Sequence, residues 1–200
     1  MLLSVCAVVI MVSDINLENV LVARICHDLI TPCNAISLGL DAFQSSNDKE
    51  MLKYVKEGAD KANIILQFMR ELFSKKEEDY IYQSRFLSEA ISNFAKTFNI
   101  EAVFTSSIEN IPYKIGQVSL FCAAVLKDLM PFGGKADFLV KNKLISINYT
   151  GQNMTAFALF DASIQEITSR NILLFKLTKL LSETSIKVFN ETAGQMSIHF

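Results

Sequence analysis

Residues 16–45 have the sequence NLENVLVARICHDLITPCNAISLGLDAFQS, and this stretch decides how the first part of the chain folds. Apolar side chains recur along it at alternating steps of four and three residues, which is the spacing of a packed helix with a heptad repeat. The residues of this stripe are Val22, Cys26, Leu29, Cys33, Ile36, Leu40 and Phe43. The pattern predicts one long amphipathic helix.

A second helix is predicted to follow the polar turn at residues 44–48, QSSND, and to end near Ser74. Its apolar stripe consists of Leu52, Val55, Ala59, Ala62, Leu66, Met69 and Leu72. A short turn places the two helices side by side and antiparallel. Because two helices cannot cover both stripes, we expect a second copy of this hairpin to complete a four-helix bundle in a homodimer. The alternative is an ordinary core within one chain, but no other part of the sequence supplies two more long amphipathic helices.

The charged run at residues 75–79, KKEED, contains no apolar residue and is predicted to be a linker between two domains. Beyond it the sequence alternates between helical and strand patterns. Helices are predicted at 84–98, at 116–130 and from a capping box at 163–166 to about 182, and strands at 101–106, 135–140, 143–150, 154–160, 185–190 and 195–200. This order predicts a mostly antiparallel sheet covered by helices. The chain is therefore assigned to the α+β class, with a helical hairpin at 13–76 and an α/β sandwich at 80–200.

The amino-acid composition argues against nucleic-acid binding and against a role in membrane attachment or export. The chain has 200 residues and a formal net charge of −2, with no run of basic residues that would indicate nucleic-acid binding. Its four cysteines, Cys6, Cys26, Cys33 and Cys122, include no CxxC pair, which favours a reducing cytoplasmic setting. Residues 1–12 are apolar, but they are too short to span a bilayer and lack a basic start. They are interpreted as an apolar leader, either an extension upstream of a native start at Met11 or a segment that packs on the fold, and a role in membrane attachment or export is disfavoured.

The chain contains two histidines, and His27 lies on the first helix one position from the stripe residue Cys26. One residue turns a helix by about 100°, so this imidazole is expected to face solvent beside the stripe. An unperturbed imidazole has a pKa of about 6.5 and is therefore a competent nucleophile at neutral pH. Asp28 supplies a carboxylate that can orient the ring or accept a proton, and Thr31 lies one turn away. Pro32 is expected to kink the helix just after the histidine, because it lacks an N–H and clashes with the carbonyl of Asp28.

Each of these residues also has an ordinary structural interpretation. A surface histidine taken alone usually has no role, Asp28 fits a solvated carboxylate, and Thr31 fits a helix-surface residue without a function. Cys26 and Cys33 are interpreted as residues of the bundle core rather than metal ligands. His199 is interpreted as a residue at the end of a strand.

The sequence from His27 to Pro32, HDLITP, resembles the H-box of bacterial sensor histidine kinases, in which a histidine and an acidic residue precede a polar residue and a proline. The longer segment 21–36, LVARICHDLITPCNAI, is similar to ChpT-type histidine phosphotransferases, which pair a dimerisation hairpin with a degenerate relative of the kinase ATP-binding (Bergerat) domain. The resemblance implies that His27 carries a phosphoryl group, with Asp28 as the neighbouring acid and Thr31 as the polar residue of the box. Ile30 departs from common kinases, which have arginine or lysine there, and it is expected to contact a partner.

The second domain lacks the motifs with which such kinases bind ATP. Its helix at 116–130 contains no asparagine to hold Mg²⁺, and no Asp-x-Gly-x-Gly loop occurs in the chain. The segment 161–163, Asp-Ala-Ser, stands roughly where that aspartate belongs but has no glycines, and Gly133 and Gly134 are better explained as a helix stop. We therefore expect no cofactor and no metal site in this chain, with Mg²⁺ supplied by a partner receiver domain.

The resemblance further implies a phosphorelay in which His27 takes a phosphoryl group from an aspartate of one receiver domain and passes it to another. The expected partners are response-regulator receiver domains, including that of a hybrid histidine kinase, and their docking is expected to use Arg24, Ile30, Thr31 and Asn34. The protein is expected to be cytoplasmic and to bind neither nucleic acid nor a membrane. Two rivals stay open: an active sensor-type histidine kinase with a divergent ATP site, and a non-catalytic dimeric adaptor in which the histidine is incidental.

Overall fold

The computed structural model describes residues 14–152, 167–183, 187–192 and 194–200. The first element, α1 (Asp14–Ser46), continues without interruption through Pro32. The second, α2 (Met51–Phe73), follows a short turn in which Asn47 takes a left-handed φ of 53° and its N–H donates to the carbonyl of Phe43. Asparagine tolerates this conformation better than most residues, so it ends α1 and reverses the chain. The predicted helical hairpin is confirmed.

Two glycines allow the helices of the hairpin to cross closely. A Cβ built on Gly58 would lie 2.8 Å from the carbonyl oxygen of Pro32 and 2.9 Å from Cγ1 of Ile36. A Cβ built on Gly39 would lie 2.8 Å from Cγ2 of Val55. All three contacts are shorter than ordinary van der Waals distances, so the absence of these two side chains sets the separation of the helices.

The second part of the chain follows the charged run at 75–79. In the described ranges, a two-stranded ribbon pairs β1 (Ile81–Gln83) with β3 (Asn110–Pro112), and a larger sheet has five strands in the order β2-β4-β5-β7-β6. These strands are β2 (Ile100–Ser106), β4 (Gly134–Lys141), β5 (Leu144–Gly151), β6 (Lys187–Thr192) and β7 (Gln195–His199), and the helices are α3 (Ser84–Lys96), α4 (Tyr113–Leu129) and α5 (Ile172–Glu183).

The larger sheet is antiparallel except at one pair of strands. β2 and β4 run parallel, with Ile100 opposite Gly134, and α4 lies in the connection between them. The pairs β4–β5, β5–β7 and β7–β6 are antiparallel. α4 is buried along most of its length, which explains why its sequence is apolar without a clear stripe. It contacts α3 and α5, and α5 also contacts α1, so the helix that bears His27 lies against the second part of the chain.

The α+β assignment is confirmed, but individual elements differ from prediction. The sequence does not predict the ribbon of β1 and β3, because strands of three residues are too short to show alternation. In the described range α5 begins at Ile172, later than predicted. The predicted capping box at 163–166, the strand at 154–160, the segment 161–163 and the leader at 1–12 all lie outside the described residues. None of the helices in the described ranges combines the length and the hydropathy of a membrane span.

Candidate functional site

His27 lies near the middle of α1, and its side chain is 77% exposed. Its Nδ1 lies 3.3 Å from Oδ1 of Asp28. A carboxylate oxygen can only accept a hydrogen bond, so a hydrogen bond at this contact requires the proton of a neutral ring to be on Nδ1 and leaves the lone pair on Nε2. In that tautomer the ring presents the lone pair of Nε2 to an approaching electrophile.

The carboxylate that contacts His27 is buried, since the side chain of Asp28 is only 1% exposed. One residue of helix rotation separates it from the exposed histidine and turns it towards the second part of the chain. Oδ2 of Asp28 accepts a hydrogen bond of 3.1 Å from Nε of Arg24, and Nζ of Lys127 on α4 contacts the same oxygen. One carboxylate oxygen is thus held by two cations, and the other is left for the imidazole.

Arg24 joins α1 to two separate segments of the second part of the chain. Its Nη2 donates a hydrogen bond of 2.6 Å to Oδ1 of Asp128 on α4. Its Nη1 donates a hydrogen bond of 2.9 Å to the carbonyl oxygen of Ser169, in the segment before α5. The four side chains Arg24, Asp28, Lys127 and Asp128 therefore form one group of two positive and two negative charges, here called the charge cluster.

Burial and the neighbouring cations act in opposite directions on the pKa values of the two acids in the charge cluster. Burial raises the pKa of Asp28, but the charge and hydrogen bond of Lys127, with the charge of Arg24, outweigh it and hold that pKa below its ordinary value. Burial raises the pKa of Asp128, and the hydrogen bond and charge of Arg24 only partly oppose this. Burial and the charge of Arg24 lower the pKa of Lys127. The carboxylate beside His27 is therefore the acid that the cluster keeps most firmly ionised.

The predicted site residues divide between the surface and the interior. His27, Ile30, Thr31 and Asn34 are exposed on α1, and Ile30 is 56% exposed. The prediction that Arg24 lies on the docking surface is wrong, because Arg24 is 3% exposed and its guanidinium is used by the charge cluster. A partner cannot reach it without breaking the contact between α1 and α4.

Sequence reasoning also missed the two residues that α4 contributes. Lys127 and Asp128 lie in the last turn of a helix that is otherwise apolar and buried. Adjacent charges in such a helix indicate a buried ionic contact, because unpaired charges are costly in the interior. The sequence gives no indication of the partner, since Arg24 and Asp128 are 104 positions apart.

The apolar stripe predicted for α1 is divided between two faces of the helix. Leu29, Ile36 and Phe43 are half-buried within the chain. Val22, Cys26, Cys33 and Leu40 are exposed, and on α2 the stripe residues Leu52 and Leu66 are exposed as well. The two thiols therefore do not face a core within one chain. A row of exposed apolar residues along both helices is characteristic of a surface that packs against another protein.

The described residues contain no group of three or more His, Cys, Asp or Glu side chains placed to hold a metal ion. α4 is buried along most of its length, largely through apolar residues, among them Val118, Phe121 and Val125. The arrangement at His27 is instead that of an exposed nucleophile beside a fixed anion.

Known proteins resemble this chain in part of its sequence and in its fold. No family model matches the chain. A curated relative, protein phosphotransferase ChpT of Brucella abortus (strain 2308), is 37% identical over 62 residues, which is 30% of this chain and 30% of that protein. The chain thus matches less than a third of the relative's length.

Among solved structures, a bacterial phosphotransferase determined at 1.7 Å superimposes with a TM-score of 0.79 at 19% identity, covering 94% of this chain and 97% of the other. The histidine kinase AdeS of Acinetobacter baumannii gives a TM-score of 0.44 at 12% identity over 86% of this chain and 95% of that one, too low a similarity to support a conclusion. The chain has the fold of a bacterial phosphotransferase over nearly its whole length, and in a 62-residue stretch of sequence it resembles the ChpT-type phosphotransferases.

Proposed function

We propose that this protein is a histidine phosphotransferase, which relays a phosphoryl group between receiver-domain aspartates through His27. The observation that carries the proposal is the pairing of an exposed imidazole with a buried, ionised carboxylate, with 3.3 Å between Nδ1 of His27 and Oδ1 of Asp28. An exposed ring is accessible to a large donor such as a protein. A buried carboxylate holds the ring in the tautomer that can attack.

The proposed transfer needs only the side chains of this site and the donor. The lone pair of Nε2 attacks the phosphorus of an aspartyl phosphate, the bond from phosphorus to the carboxyl oxygen breaks, and the donor aspartate leaves as a carboxylate. The proton on Nδ1 stays in place, so the phosphorylated ring is cationic, and Asp28 compensates this charge. Transfer to a second receiver is the same step in reverse. Mg²⁺ that stabilises the transferred group belongs to the receiver in this proposal, and the chain itself uses no cofactor or metal.

The partners proposed for this site are receiver domains of response regulators, including that of a hybrid histidine kinase, in the cytoplasm of a bacterium. Ile30, Thr31 and Asn34 are exposed around His27 and offer an apolar contact and two polar ones. A surface of this kind fits a small interface that forms and dissociates during each transfer. Thr31 is assigned to this contact together with its place in the H-box.

A homodimer is part of the proposal. The exposed stripe residues of α1 and α2 need a partner, and a second copy of the hairpin supplies a matching surface, which makes a four-helix bundle. His27 lies about 100° of helix rotation away from Cys26 on the stripe, so both histidines of a dimer stay open to receivers. The proposal also includes that the protein does not phosphorylate itself from ATP, because the sequence of α4 contains no asparagine to hold Mg²⁺ and the chain has no Asp-x-Gly-x-Gly loop.

The test uses the full chain and a panel of bacterial receiver domains loaded with acetyl phosphate. Phosphoryl transfer is followed by phosphate-affinity gel electrophoresis, and the modified residue is located by mass spectrometry at neutral pH. His27→Gln is the test variant and His199→Gln the matched control, since these are the two histidines of the chain. We expect label in the wild type and in the control, and none in His27→Gln.

Two further measurements test the alternative functions, an active histidine kinase and a non-catalytic adaptor. In the first, γ-labelled ATP with Mg²⁺ replaces the receiver, and label on His27 would restore the kinase hypothesis. The same arm includes thermal unfolding with Mg-ATP, where a ligand at 100 times its Kd would stabilise the fold by about 2.7 kcal/mol; we expect no shift. In the second, a wild-type chain that accepts phosphate from no receiver of the panel supports the adaptor hypothesis.

A further inference from the structure

Lys127 is the member of the charge cluster whose position the proposed function does not yet explain. Its Nζ contacts Oδ2 of Asp28 and lies 4.6 Å from the centroid of the Phe98 ring, so it is held between the H-box carboxylate and the end of α3. Its side chain is 10% exposed. Burying a charged lysine costs free energy, and apolar side chains could hold α1 against α4 without that cost. Packing of the two helices therefore does not by itself explain Lys127.

The contacts of the two oxygens of Asp28 indicate what Lys127 contributes to the site. An arginine beside a carboxylate tends to bind both oxygens at once, in a bidentate pair. Here Arg24 reaches only Oδ2, at 3.1 Å through Nε, while its Nη2 is turned to Asp128. Lys127 also contacts Oδ2, and Oδ1 is left to face Nδ1 of His27. The two cations therefore anchor one oxygen and fix the direction of the other.

We propose, resting on the proposed function, that Lys127 and Arg24 are positioning residues of the phosphotransfer site, which act through Oδ2 of Asp28 to hold His27 in the Nδ1–H tautomer. In this arrangement α4 is a required part of the site although it touches neither the phosphoryl group nor the reacting nitrogen. Without Lys127, Oδ2 of Asp28 keeps only the hydrogen bond from Nε of Arg24, so the carboxylate can rotate and its hydrogen bond to the imidazole is weakened. The ring then exchanges between its tautomers, and only part of the population has its lone pair on Nε2.

The experiment measures the tautomer and the reaction separately. Long-range proton–nitrogen correlation spectra of protein labelled with ¹⁵N-histidine report which ring nitrogen carries the proton. The spectrum contains signals from His27 and His199 alone, and His27→Gln identifies them. Reactivity is measured with phosphoramidate, a small donor of phosphoryl groups to imidazoles, by ³¹P spectroscopy. This donor removes receiver docking from the comparison.

The test variants are Lys127→Met, which removes the charge, and Lys127→Arg, which keeps the charge on a group that can bind both oxygens of Asp28. Asp28→Asn gives the reference for complete loss of the carboxylate. The matched control is Lys114→Met, because Lys114 is on the same helix but is 53% exposed and has only a 3.8 Å contact with Glu78. If Lys127→Met does not fold, as judged by circular dichroism, Lys127→Gln is measured in its place.

We expect the wild type and Lys114→Met to show the Nδ1–H tautomer at His27. Lys127→Met should show a mixture of tautomers and a severalfold lower rate of phosphohistidine formation at Nε2, because only part of the population has its lone pair on that nitrogen. Lys127→Arg should also show the mixture, because its guanidinium can bind both oxygens of Asp28. Wild-type tautomer and rate in Lys127→Met would overturn the inference. Absence of phosphohistidine in the wild type would overturn the proposed function instead, and the tautomer measurement would still test the coupling from α4 to His27.

Discussion

The guanidinium of Arg24 lies 2.6 Å, through Nη2, from the carboxylate of Asp128, and this contact ties the helix that bears His27 to α4. Replacing Arg24 with Met keeps most of the side-chain volume but leaves Asp128 without its strongest partner. We expect Arg24→Met to lower the free energy of unfolding by about 3 kcal/mol, as for other buried ion pairs that lose one member. Urea unfolding at neutral pH measures this. Arg85→Met is the control, because Arg85 pairs with Glu89 on the surface, and it should cause no measurable change.

The ionisation of Asp28 should make part of the stability depend on pH. Its pKa in the folded protein lies below the value of about 3.9 for an unfolded aspartate, so its contribution is present above that value and is lost as pH falls through the lower folded pKa. Asp28→Asn should therefore destabilise the protein most at neutral pH, and the difference from wild type should shrink in acid. Urea unfolding across this pH range tests the sign. Asp137→Asn, at an exposed position on β4, is the control, and a difference for Asp28→Asn that does not change with pH would contradict the assignment.

The two helices of the hairpin cross closely at Gly58, so a single added methyl group there is expected to lower the free energy of unfolding. Alanine is favoured over glycine by about 1 kcal/mol within a helix. At Gly58 the new Cβ would meet the carbonyl oxygen of Pro32 at 2.8 Å, and backbone cannot move aside as a side chain can. We expect the clash to win and Gly58→Ala to destabilise the protein by about 1–3 kcal/mol. Thermal unfolding measures the net effect, with Lys61→Ala on the exposed face of α2 as the control; a more stable Gly58→Ala would show that the helices can separate without cost.

The exposed apolar residues of α1 predict which substitutions by glutamate will dissociate the proposed homodimer. Val22 and Leu40 are 58% and 40% exposed in the single chain, so glutamates there should not disturb its own core. Leu29 and Ile36 are less suitable, since both are half-buried in the chain. We expect Val22→Glu/Leu40→Glu to be a folded monomer in light scattering at micromolar concentration, where the wild type is a dimer. A monomeric wild type, or a double variant that remains dimeric, would show that these helices do not form the interface.

Much of the architecture could be predicted because it depends on local patterns. The heptad stripe predicts α1 from 16 to 45 and the structure has Asp14–Ser46, and the polar turn correctly separates it from α2. The edges of β2, β4 and β5 fall within one or two residues of prediction for the same reason, since alternation and turn residues are read within a few positions. The parallel pairing of β2 with β4 is not local, and nothing in either strand alone distinguishes it from an antiparallel neighbour.

The site was predictable to the same extent. The motif locates His27 and Asp28, and helix rotation correctly puts the histidine at the surface. The same rotation argument fails for Arg24, because it tells which residues share a face but not which face the second part of the chain will cover. Lys127 and Asp128 could not be assigned for that reason, as their role depends on a contact between distant segments.

The position of β7 inside the sheet has a consequence for synthesis. β7 (Gln195–His199) lies between β5 and β6, so the sheet cannot be completed until this segment has left the ribosome. The hairpin uses contacts between residues 14 and 73 and can form while the rest of the chain is still being made. A newly made His27 is therefore expected to be at the surface before α4 arrives to fix Asp28, and the chain would acquire a helix pair first and a poised imidazole later.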